Sequence, residues 1–449
     1  MTDADASYAP PHPEVINVGV PNAPFYQPLT EPSPGTALSA DDWPQNKDLP
    51  LLFQPIKIGP QEAKNRIFVA PMCMYSCAQE GPNEGCVTPW HLVHLGSFAA
   101  RGAAVVMVEA TSVQPRGRLS PQDVGLWNDR QRDALKGVFD FIKAQGALAA
   151  IQLAHGGRKT STLAPWLDTS TIKPHLKSHV ATDGPAGGWT KDVMAPSAIP
   201  YEEDTFPTPR EMDEKDFAEL TQSWIDAVRR ADEAGADILE IHSAHGYLLH
   251  NFLSPLSNQR KDKYGGSLEN RMRYPLELIS TVRAHWPSHK ALLLRISGTD
   301  WYPAGEKDDK TVEYISWGIE QSKVYVKEAI KRGVDLVDVS SAGNTPEQKI
   351  TVGPGYQVPL AEQIKKSLGP DEQIPISSVG LITSGKQAEE ILQAGKSDVV
   401  SVAREFLRDA DTVFNWAQEL GVVVNVPVQY QRAYTRMMTK KEAGEEVKK

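Results

Sequence analysis

The chain has 449 residues and a formal net charge of −10 at pH 7. Proteins that mainly bind nucleic-acid phosphates are usually basic, so this charge argues against a nucleic-acid partner. The hydrophobic fraction of 40% and the charged fraction of 23% are typical of a globular protein long enough for one large domain or two ordinary ones.

The two ends of the chain differ from its middle in composition. Residues 1–50 are rich in proline, alanine, aspartate and serine and are predicted to form an irregular arm. They lack the apolar core of a signal peptide, and the first arginine is Arg66, which argues against a mitochondrial presequence. No apolar run is long enough to span a bilayer, so we expect a cytoplasmic protein without a membrane partner. Residues 435–449 are predicted to be a charged, solvated tail.

The cysteines are few and lie close together in sequence, at Cys73, Cys77 and Cys86. A structural zinc or iron–sulfur site usually needs a C-x-x-C pair and a fourth ligand, and neither is present. Such a small, odd number of cysteines fits a reducing compartment.

Strands and helices are predicted to alternate from Arg66 onward. The strands are predicted at 67–70, 104–108, 148–153, 238–241, 292–296, 336–339, 374–378 and 399–402. The helices are predicted at 90–100, 132–144, 217–234, 274–285, 314–331, 360–368, 386–394 and 412–419. Eight βα units within residues 51–434 favour an α/β fold of the (β/α)8 TIM-barrel type. A doubly wound open sheet is the alternative, but its usual Gly-x-Gly-x-x-Gly turn is absent.

One connection, residues 154–212 after the third strand, is far longer than an ordinary βα loop. Loops of this length usually serve as lids or covers, and this one leaves the carboxyl end of a barrel strand. We therefore expect it to cover the active site, with an inert surface insertion as the alternative.

The strongest functional signal is the end of the predicted strand 238–241. It is followed by His242, His245 and Tyr247, which can donate hydrogen bonds or move protons. The carboxyl ends of all strands of a barrel meet at one face. The residues expected to meet there from the other strands are Cys73, Tyr75, Glu109, Ala110, Gln152, His155, Arg295, Ser340, Gly380 and Arg404.

Several interpretations of these residues remain open. The two histidines could donate hydrogen bonds to a carbonyl oxygen that becomes negative, could bind a metal with Glu240, or could be ordinary core histidines. Arg295, at the end of a buried strand, requires a negative partner. That partner could be Glu240, Glu109 or an anionic cofactor.

Taken in order, the segments resemble the Old Yellow Enzyme family of flavin-dependent ene-reductases, and in particular its thermophilic-like subclass with a cysteine beside the flavin. The resemblance covers about residues 51–434. It is carried by 70–75 (APMCMY), 109–110 (EA), 117–118 (GR), 151–159 (IQLAHGGRK), 240–260, 264–271 (YGGSLENR), Arg295, 377–380 (SSVG) and 403–408 (AREFLR). The joint occurrence of these segments is highly specific.

The resemblance implies that FMN lies across the barrel mouth and that NADPH or NADH is the co-substrate. The residues implied to bind FMN are Ala70, Pro71, Met72, Cys73, Ala110, Gln152, Arg295, Gly380, Ala403 and Arg404. His242 and His245 would bind the substrate carbonyl with help from Tyr75, and Tyr247 would donate a proton. Ala403 stands where the subclass usually has glycine, so its methyl group is expected to crowd the phosphate.

The implied reaction is NAD(P)H-dependent reduction of the activated C=C bond of enones and enals. The alternatives are a flavin-binding sensor or scaffold with little turnover and a metal-dependent hydrolase on the same barrel. Residues 426–432 resemble a segment that sends an arginine into a neighbouring subunit's site, which makes Arg432 an implied substrate contact in a homodimer or tetramer. An ordinary solvated arginine is the alternative.

Overall fold

The structure is a computed structural model that describes residues 16–167, 179–308, 310–311 and 313–434. The tail predicted at 435–449, the first fifteen residues of the predicted arm and residues 168–178 of the long connection lie outside this range. No helix in the described part of the chain is long and apolar enough to cross a membrane.

The described strands and helices alternate through most of the chain. The strands are β1 (Ile56–Ile58), β2 (Gln61–Ala63), β3 (Ile67–Val69), β4 (Val105–Ser112), β5 (Leu148–Ala154), β6 (Met194–Ala195), β7 (Arg210–Glu211), β8 (Ile238–Ser243), β9 (Ala291–Ser297), β10 (Leu336–Ser340), β11 (Ile376–Ser378) and β12 (Val399–Val402). The helices are α1 (Pro89–Ala100), α2 (Asp129–Ala144), α3 (Glu214–Ala234), α4 (Leu248–Leu253), α5 (Leu268–His285), α6 (Ile319–Ile330), α7 (Val358–Ser367), α8 (Gly385–Gln393), α9 (Arg404–Arg408), α10 (Thr412–Glu419) and α11 (Gln431–Tyr434).

Eight of these strands close into a parallel barrel in the order β3, β4, β5, β8, β9, β10, β11 and β12, which confirms the predicted fold. The antiparallel hairpin β1–β2 precedes the barrel. Ile58 and Ala63 of this hairpin pack in one apolar cluster with Phe68, Ile238 and Leu336 from the first halves of barrel strands. Apolar side chains therefore fill the amino-terminal half of the barrel, and the polar side chains of a candidate site are expected at its carboxyl end.

The longest described helix, α3, shows how local sequence sets the element boundaries. Asp213 accepts a hydrogen bond from the main-chain N–H of Asp216 and so caps the first turn. Gly235, at φ 97°, ends the helix in the left-handed conformation that glycine adopts without steric cost. Phe217 and Trp224 of its buried face join the main core, so α3 covers the barrel.

Several predicted boundaries were wrong by two or more residues, and three of them were wrong by four or more. The helix predicted from residue 314 begins at Ile319, because Trp317 is bound to the loop after β9: its N–H donates to Oδ2 of Asp300 and its indole Nε1 donates to the Ser297 carbonyl. The helix predicted from 274 begins at Leu268. The second predicted strand does not end at 108; β4 continues to Ser112 through a bulge after Val108.

Residues 16–50 are largely irregular, and they lie against the segment that follows α10. Asn46, 3% exposed, makes the main connection. Its Nδ2 donates to the carbonyls of Leu38 at 2.8 Å and Val423 at 2.7 Å, and its Oδ1 accepts from the Val423 N–H at 2.9 Å. One buried amide thus joins two segments that are far apart in sequence.

We expect Asn46→Ala to destabilise the protein by about 1–3 kcal/mol, because each buried main-chain group that loses its partner retains its desolvation cost. The measurement is the free energy of unfolding in urea. The matched control is Asn17→Ala on the same arm, where the side chain is exposed and the change should stay within about 0.5 kcal/mol. Equal effects of the two substitutions would contradict this role of Asn46.

Candidate active site

The register of three neighbouring strands aligns three polar residues in one row. His242 of β8 pairs with Arg295 of β9, and Arg295 pairs with Asp338 of β10. The Nε atom of Arg295 lies 3.1 Å from Oδ2 of Asp338, and the two side chains are 7% and 3% exposed. Of the possible partners of Arg295, neither Glu240 nor Glu109 makes its ion pair, because the carboxylate that does stands on the next strand. An anionic cofactor as a further partner stays a prediction.

Glu240 forms a polar layer beneath this row. The amide Nε2 of Gln152 donates to Oε1 of Glu240 at 2.7 Å. Burial and the negative charge of Asp338 raise the pKa of Glu240, and Arg295 opposes this shift. Glu240 therefore acts as a partner of Gln152. In the ranges that the structure describes, no group of three or more histidine, cysteine, aspartate or glutamate side chains could hold a metal ion.

The ring of His245 stands edge to face against the ring of His242, the member of the row that belongs to β8. Their ring centroids are 5.1 Å apart at 86°, and Nε2 of His242 lies 3.4 Å from Nδ1 of His245. The Ala244 N–H donates to Nδ1 of His242, so the proton of that ring is on Nε2. Burial, and then the positive charge of Arg295, lower the pKa of both histidines well below the usual range, and both rings are neutral at pH 7.

His245 occupies an uncommon backbone conformation, with φ 60°, and Gly246 follows at φ 71°. This left-handed turn projects His245 and Tyr247 from the end of β8. The His245 N–H donates to Oγ of Ser297 at 2.9 Å, and Nε2 of the same ring lies 2.8 Å from Oγ of Ser340. Both serines end neighbouring barrel strands.

Tyr247 lies beside the histidines, with its ring centroid 4.9 Å from that of His242. Burial raises the pKa of its phenol, which therefore keeps its proton at neutral pH. The ammonium of Lys159 lies 5.4 Å from the centre of this ring and donates to the His245 carbonyl at 3.1 Å. Burial lowers the pKa of Lys159 to about 7. Sequence reasoning gave Lys159 no role, although a lysine directly after a barrel strand was an available signal.

Residues after β3 lie beside residues from β4, as sequence reasoning expected of strand ends that meet. Burial raises the pKa of Cys73, so this thiol is protonated at neutral pH. The main chain of Ala110 lies near the thiol of Cys73 and opposes the rise in its pKa. The Met74 N–H donates to Glu109 at 2.8 Å, and His91 lies 3.5 Å from the same carboxylate, so Glu109 holds the segment that follows β3.

A cavity of about 130 Å³ lies at the carboxyl ends of β11 and β12. Gly380, Ala403 and Arg404 line it together with Gln357. Gly380 has φ 122°, and a Cβ there would lie 3.0 Å from Nε2 of Gln357, so the backbone needs glycine. Ala403 has φ −112° and ψ −89°, a negative φ that does not by itself call for glycine, and the expected crowding of the phosphate by its methyl group stays a prediction.

Aromatic rings of the long connection contact this site. Trp166 packs edge-on against Tyr75 with ring centroids 5.6 Å apart, and Tyr201 lies 4.5 Å from the ammonium of Lys159. Sequence reasoning expected the connection to cover the site but missed these two residues. A lone aromatic in a long polar loop gives little indication of its contacts.

Arg432 lies apart from the other predicted site residues. It is exposed on α11, next to residues that pack on Arg101 and Phe414. In the described part of the chain it has no contact with His242 or His245.

The sequence model of the NADH:flavin oxidoreductase / NADH oxidase family matches residues 51–421. An NADH:flavin oxidoreductase of Gibberella zeae is 43% identical over 421 residues, which are 93% of this chain and 95% of that protein. An NADPH dehydrogenase of Geobacillus sp. is 43% identical over 385 residues, which are 86% of this chain and 98% of the relative. The solved structure of morphinone reductase has a similar fold, with a TM-score of 0.62, 24% identity, and coverage of 84% of this chain and 91% of that one.

We expect Asp338→Asn to destabilise the protein by about 3–5 kcal/mol, because it leaves the buried Arg295 cation without its counter-charge. The measurement is the free energy of unfolding at pH 7. As a matched control, Glu233→Gln breaks the surface ion pairs with Arg132 and Arg229 and should cost less than about 1 kcal/mol. A loss of similar size in both variants would contradict the importance of the buried pair.

Proposed function

This chain belongs to the NADH:flavin oxidoreductase / NADH oxidase family, to which Old Yellow Enzyme belongs, and from that premise we propose that it reduces the activated C=C bond of α,β-unsaturated carbonyl compounds. It is an FMN oxidoreductase with NAD(P)H as co-substrate. The proposal concerns the oxidising substrate and the roles of individual side chains.

The observation that carries the proposal is the distance of 3.4 Å between Nε2 of His242 and Nδ1 of His245. A single oxygen atom can lie at hydrogen-bonding distance from both nitrogens, at about 2.8–3.0 Å from each. The pair is thus suited to one carbonyl oxygen.

Both nitrogens can carry a proton at the same time. The main-chain N–H of Ala244 keeps the His242 proton on Nε2. The hydroxyl of Ser340 lies 2.8 Å from Nε2 of His245 and donates to Oε1 of Gln357 at 3.3 Å. When this hydroxyl turns to donate to Nε2 of His245 instead, the His245 proton is left on Nδ1. Two neutral donors would stabilise the negative charge that builds on the carbonyl oxygen as the β-carbon accepts hydride.

Tyr247 would act as the general acid. Its pKa is raised by burial, so the phenol remains protonated and ready to donate at neutral pH. Its ring lies against His242, close to where a substrate held by the histidines would be. Tyr247 would protonate the α-carbon of the substrate, and Tyr75 would line the same pocket.

The chain's residues fit FMN. Arg295 is a buried cation whose Nε has no partner in good hydrogen-bond geometry within the described ranges, although Asp338 is only 3.1 Å away. It would place a fixed positive charge beside the flavin ring, bordered by Gln152 and by the segment from Ala70 through Pro71 and Met72 to Cys73. The cavity at Gly380, Ala403 and Arg404 would hold the phosphate. Bound FMN supplies the redox chemistry, taking hydride from NAD(P)H and passing it to the substrate carbon.

A flavin-binding sensor with little turnover remains the alternative, because the same two donors could hold a ligand oxygen without reaction. The arrangement of Tyr247 beside both histidines favours turnover, since a sensor needs no proton donor there. We propose enones and enals as the substrate class, because the two donors polarise the carbonyl that activates their C=C bond.

The central test follows the visible absorbance of the purified protein without oxygen. NADPH or NADH should bleach the yellow colour, and cyclohexenone should restore it. Bleaching without recovery would support the sensor instead. His242→Ala and His245→Ala should each slow the recovery about 10²–10³-fold, since each removes one donor to the oxyanion.

Tyr247→Phe should slow the same recovery by about 10²–10⁴-fold while bleaching by NADPH stays within a few-fold, because protonation belongs only to the second half-reaction. The matched control is Tyr274→Phe, which removes a buried hydroxyl from α5, away from the barrel mouth. Recovery at the wild-type rate in Tyr247→Phe would contradict its role as proton donor.

We also propose that Arg432 reaches the site of a second subunit in a homodimer or tetramer. Two large apolar side chains of α1, Trp90 and Val93, are 56% and 71% exposed, and Arg101 at the end of that helix packs on Tyr430 near Arg432. Exposed apolar side chains on the helix that ends at Arg101 are typical of an interface. Light scattering should give at least a dimer, and Val93→Glu should dissociate it. A wild-type monomer at working concentration would exclude the shared site.

A further inference from the structure

We propose that His250 and Asp300 form a positioning pair that fixes the direction of His245 and Tyr247. The inference rests on the proposed function of those two side chains and adds two residues that touch neither substrate nor cofactor. Both members are fully buried, and they stand on separate elements: His250 on α4 and Asp300 in the loop after β9.

The contact that links the pair to the site is a hydrogen bond to the backbone of the left-handed turn. The N–H of Gly246 donates to Nδ1 of His250 at 2.9 Å. A main-chain N–H can only donate, so Nδ1 is an acceptor and the His250 proton is on Nε2. Gly246 lies between His245 and Tyr247, and its position therefore controls both side chains.

Asp300 stabilises that tautomer. Its Oδ1 lies 3.1 Å from Nε2 of His250, although the atoms do not reach the straight geometry of a strong hydrogen bond. Burial raises the pKa of Asp300, but the nearby His250 ring and hydrogen bonds from the Ser254 hydroxyl and the Trp317 N–H outweigh it and bring the pKa below the usual range. The carboxylate is therefore ionised and favours a proton on the nitrogen that faces it.

The turn needs such support, because its conformation is unfavourable. His245 has φ 60°, a region that residues with a side chain rarely occupy, and such strain persists only where the surroundings impose it. A Cβ at Gly246 would come within 2.1 Å of the Gly343 carbonyl, so the turn presses against a neighbouring loop. The amide of Asn251 donates to the Gly246 carbonyl at 2.9 Å. Together, His250 and Asn251 bind the main-chain N–H and the main-chain carbonyl of Gly246.

Asp300→Asn removes the charge of residue 300 and changes the tautomer that it favours on His250, while the shape of the side chain stays nearly the same. The new amide can donate to Nε2 of His250, and the ring proton then moves to Nδ1. The Nδ1–H and the Gly246 N–H would face each other as two donors, and their hydrogen bond would be lost. Where a carboxylate orients a catalytic imidazole directly, the same exchange costs about 10⁴-fold in rate. Here the effect is transmitted through a backbone turn. We expect about 10²-fold, which a misplacement of about 1 Å produces.

The experiment uses the FMN-loaded protein and two readouts. One is the rate at which cyclohexenone reoxidises the reduced protein. The other is the dissociation constant of 4-hydroxybenzaldehyde, whose phenolate oxygen would take the place of the carbonyl oxygen and whose ring gives a long-wavelength absorbance band on the flavin. Asp300→Asn and His250→Leu should slow reoxidation about 10²-fold. They should weaken phenolate binding at least about tenfold, as a charged acceptor loses a donor.

A conservative variant distinguishes positioning from general support of the fold. The side-chain oxygen of Asn in His250→Asn can replace the Nδ1 acceptor for Gly246, so this variant should retain more binding and rate than His250→Leu. The matched control is Asp237→Asn, before β8 at the opposite end of the barrel. There, Oδ2 accepts a main-chain hydrogen bond from Ala149 at 3.0 Å. Asp237→Asn should lower stability and leave both readouts unchanged.

Unchanged phenolate binding and reoxidation in folded Asp300→Asn and His250→Leu would overturn the inference. It would also be overturned if His250→Asn lost its FMN or performed no better than His250→Leu, because the pair would then support the fold alone. A failure of the proposed function looks different: the wild-type protein itself would neither bind the phenolate nor be reoxidised by the enone.

Discussion

The arrangement of the site depends on the pairing register of three neighbouring barrel strands. That register sets His242, Arg295 and Asp338 side by side, pointing inward at the carboxyl end of the barrel. A one-residue slip of a strand would turn its side chain away from the barrel interior. The buried cation at the centre of the row then determines the electrostatics. It pairs with Asp338, and it helps keep both histidines neutral, so that they act as hydrogen-bond donors.

Above this rigid row, the reactive side chains stand on a turn that is held by other loops. The His245 carbonyl accepts from Lys159 of the third βα loop, and the His245 N–H donates to Ser297 of β9. The Gly246 N–H donates to His250, which faces Asp300. Each contact is local, but together they come from three different strand ends. A strained turn bound from several sides can place two side chains reproducibly without a long regular element.

Most of the regular structure could be predicted because it depends on short-range patterns. The buried strands are β-branched and apolar, and glycine ends α3 as expected. The start of α6 could not be predicted, since Trp317 and Ser316 are held outside the helix by partners near residue 300. The bulge in β4 likewise has no local signal. At α6 a distant partner competes with the helix, whereas the start of α5 carries a local signal, the cap at Ser267, that sequence reasoning overlooked.

The sequence by itself determined the barrel, the set of polar residues at the strand ends and the family. These follow from the periodicity of apolar residues and from motifs that can be recognised in the sequence alone. The sequence did not determine which charged side chains form ion pairs with each other. Glu240 and Glu109 were plausible partners for Arg295, but the pairing register of β9 and β10 places Asp338 beside it. Only the tertiary structure decided the neutral state of the histidines, the contact of Lys159 with the reactive turn and the pairing of His250 with Asp300. These properties depend on distances of a few ångströms between segments far apart in the chain, and electrostatic and hydrogen-bond energies change steeply over such distances.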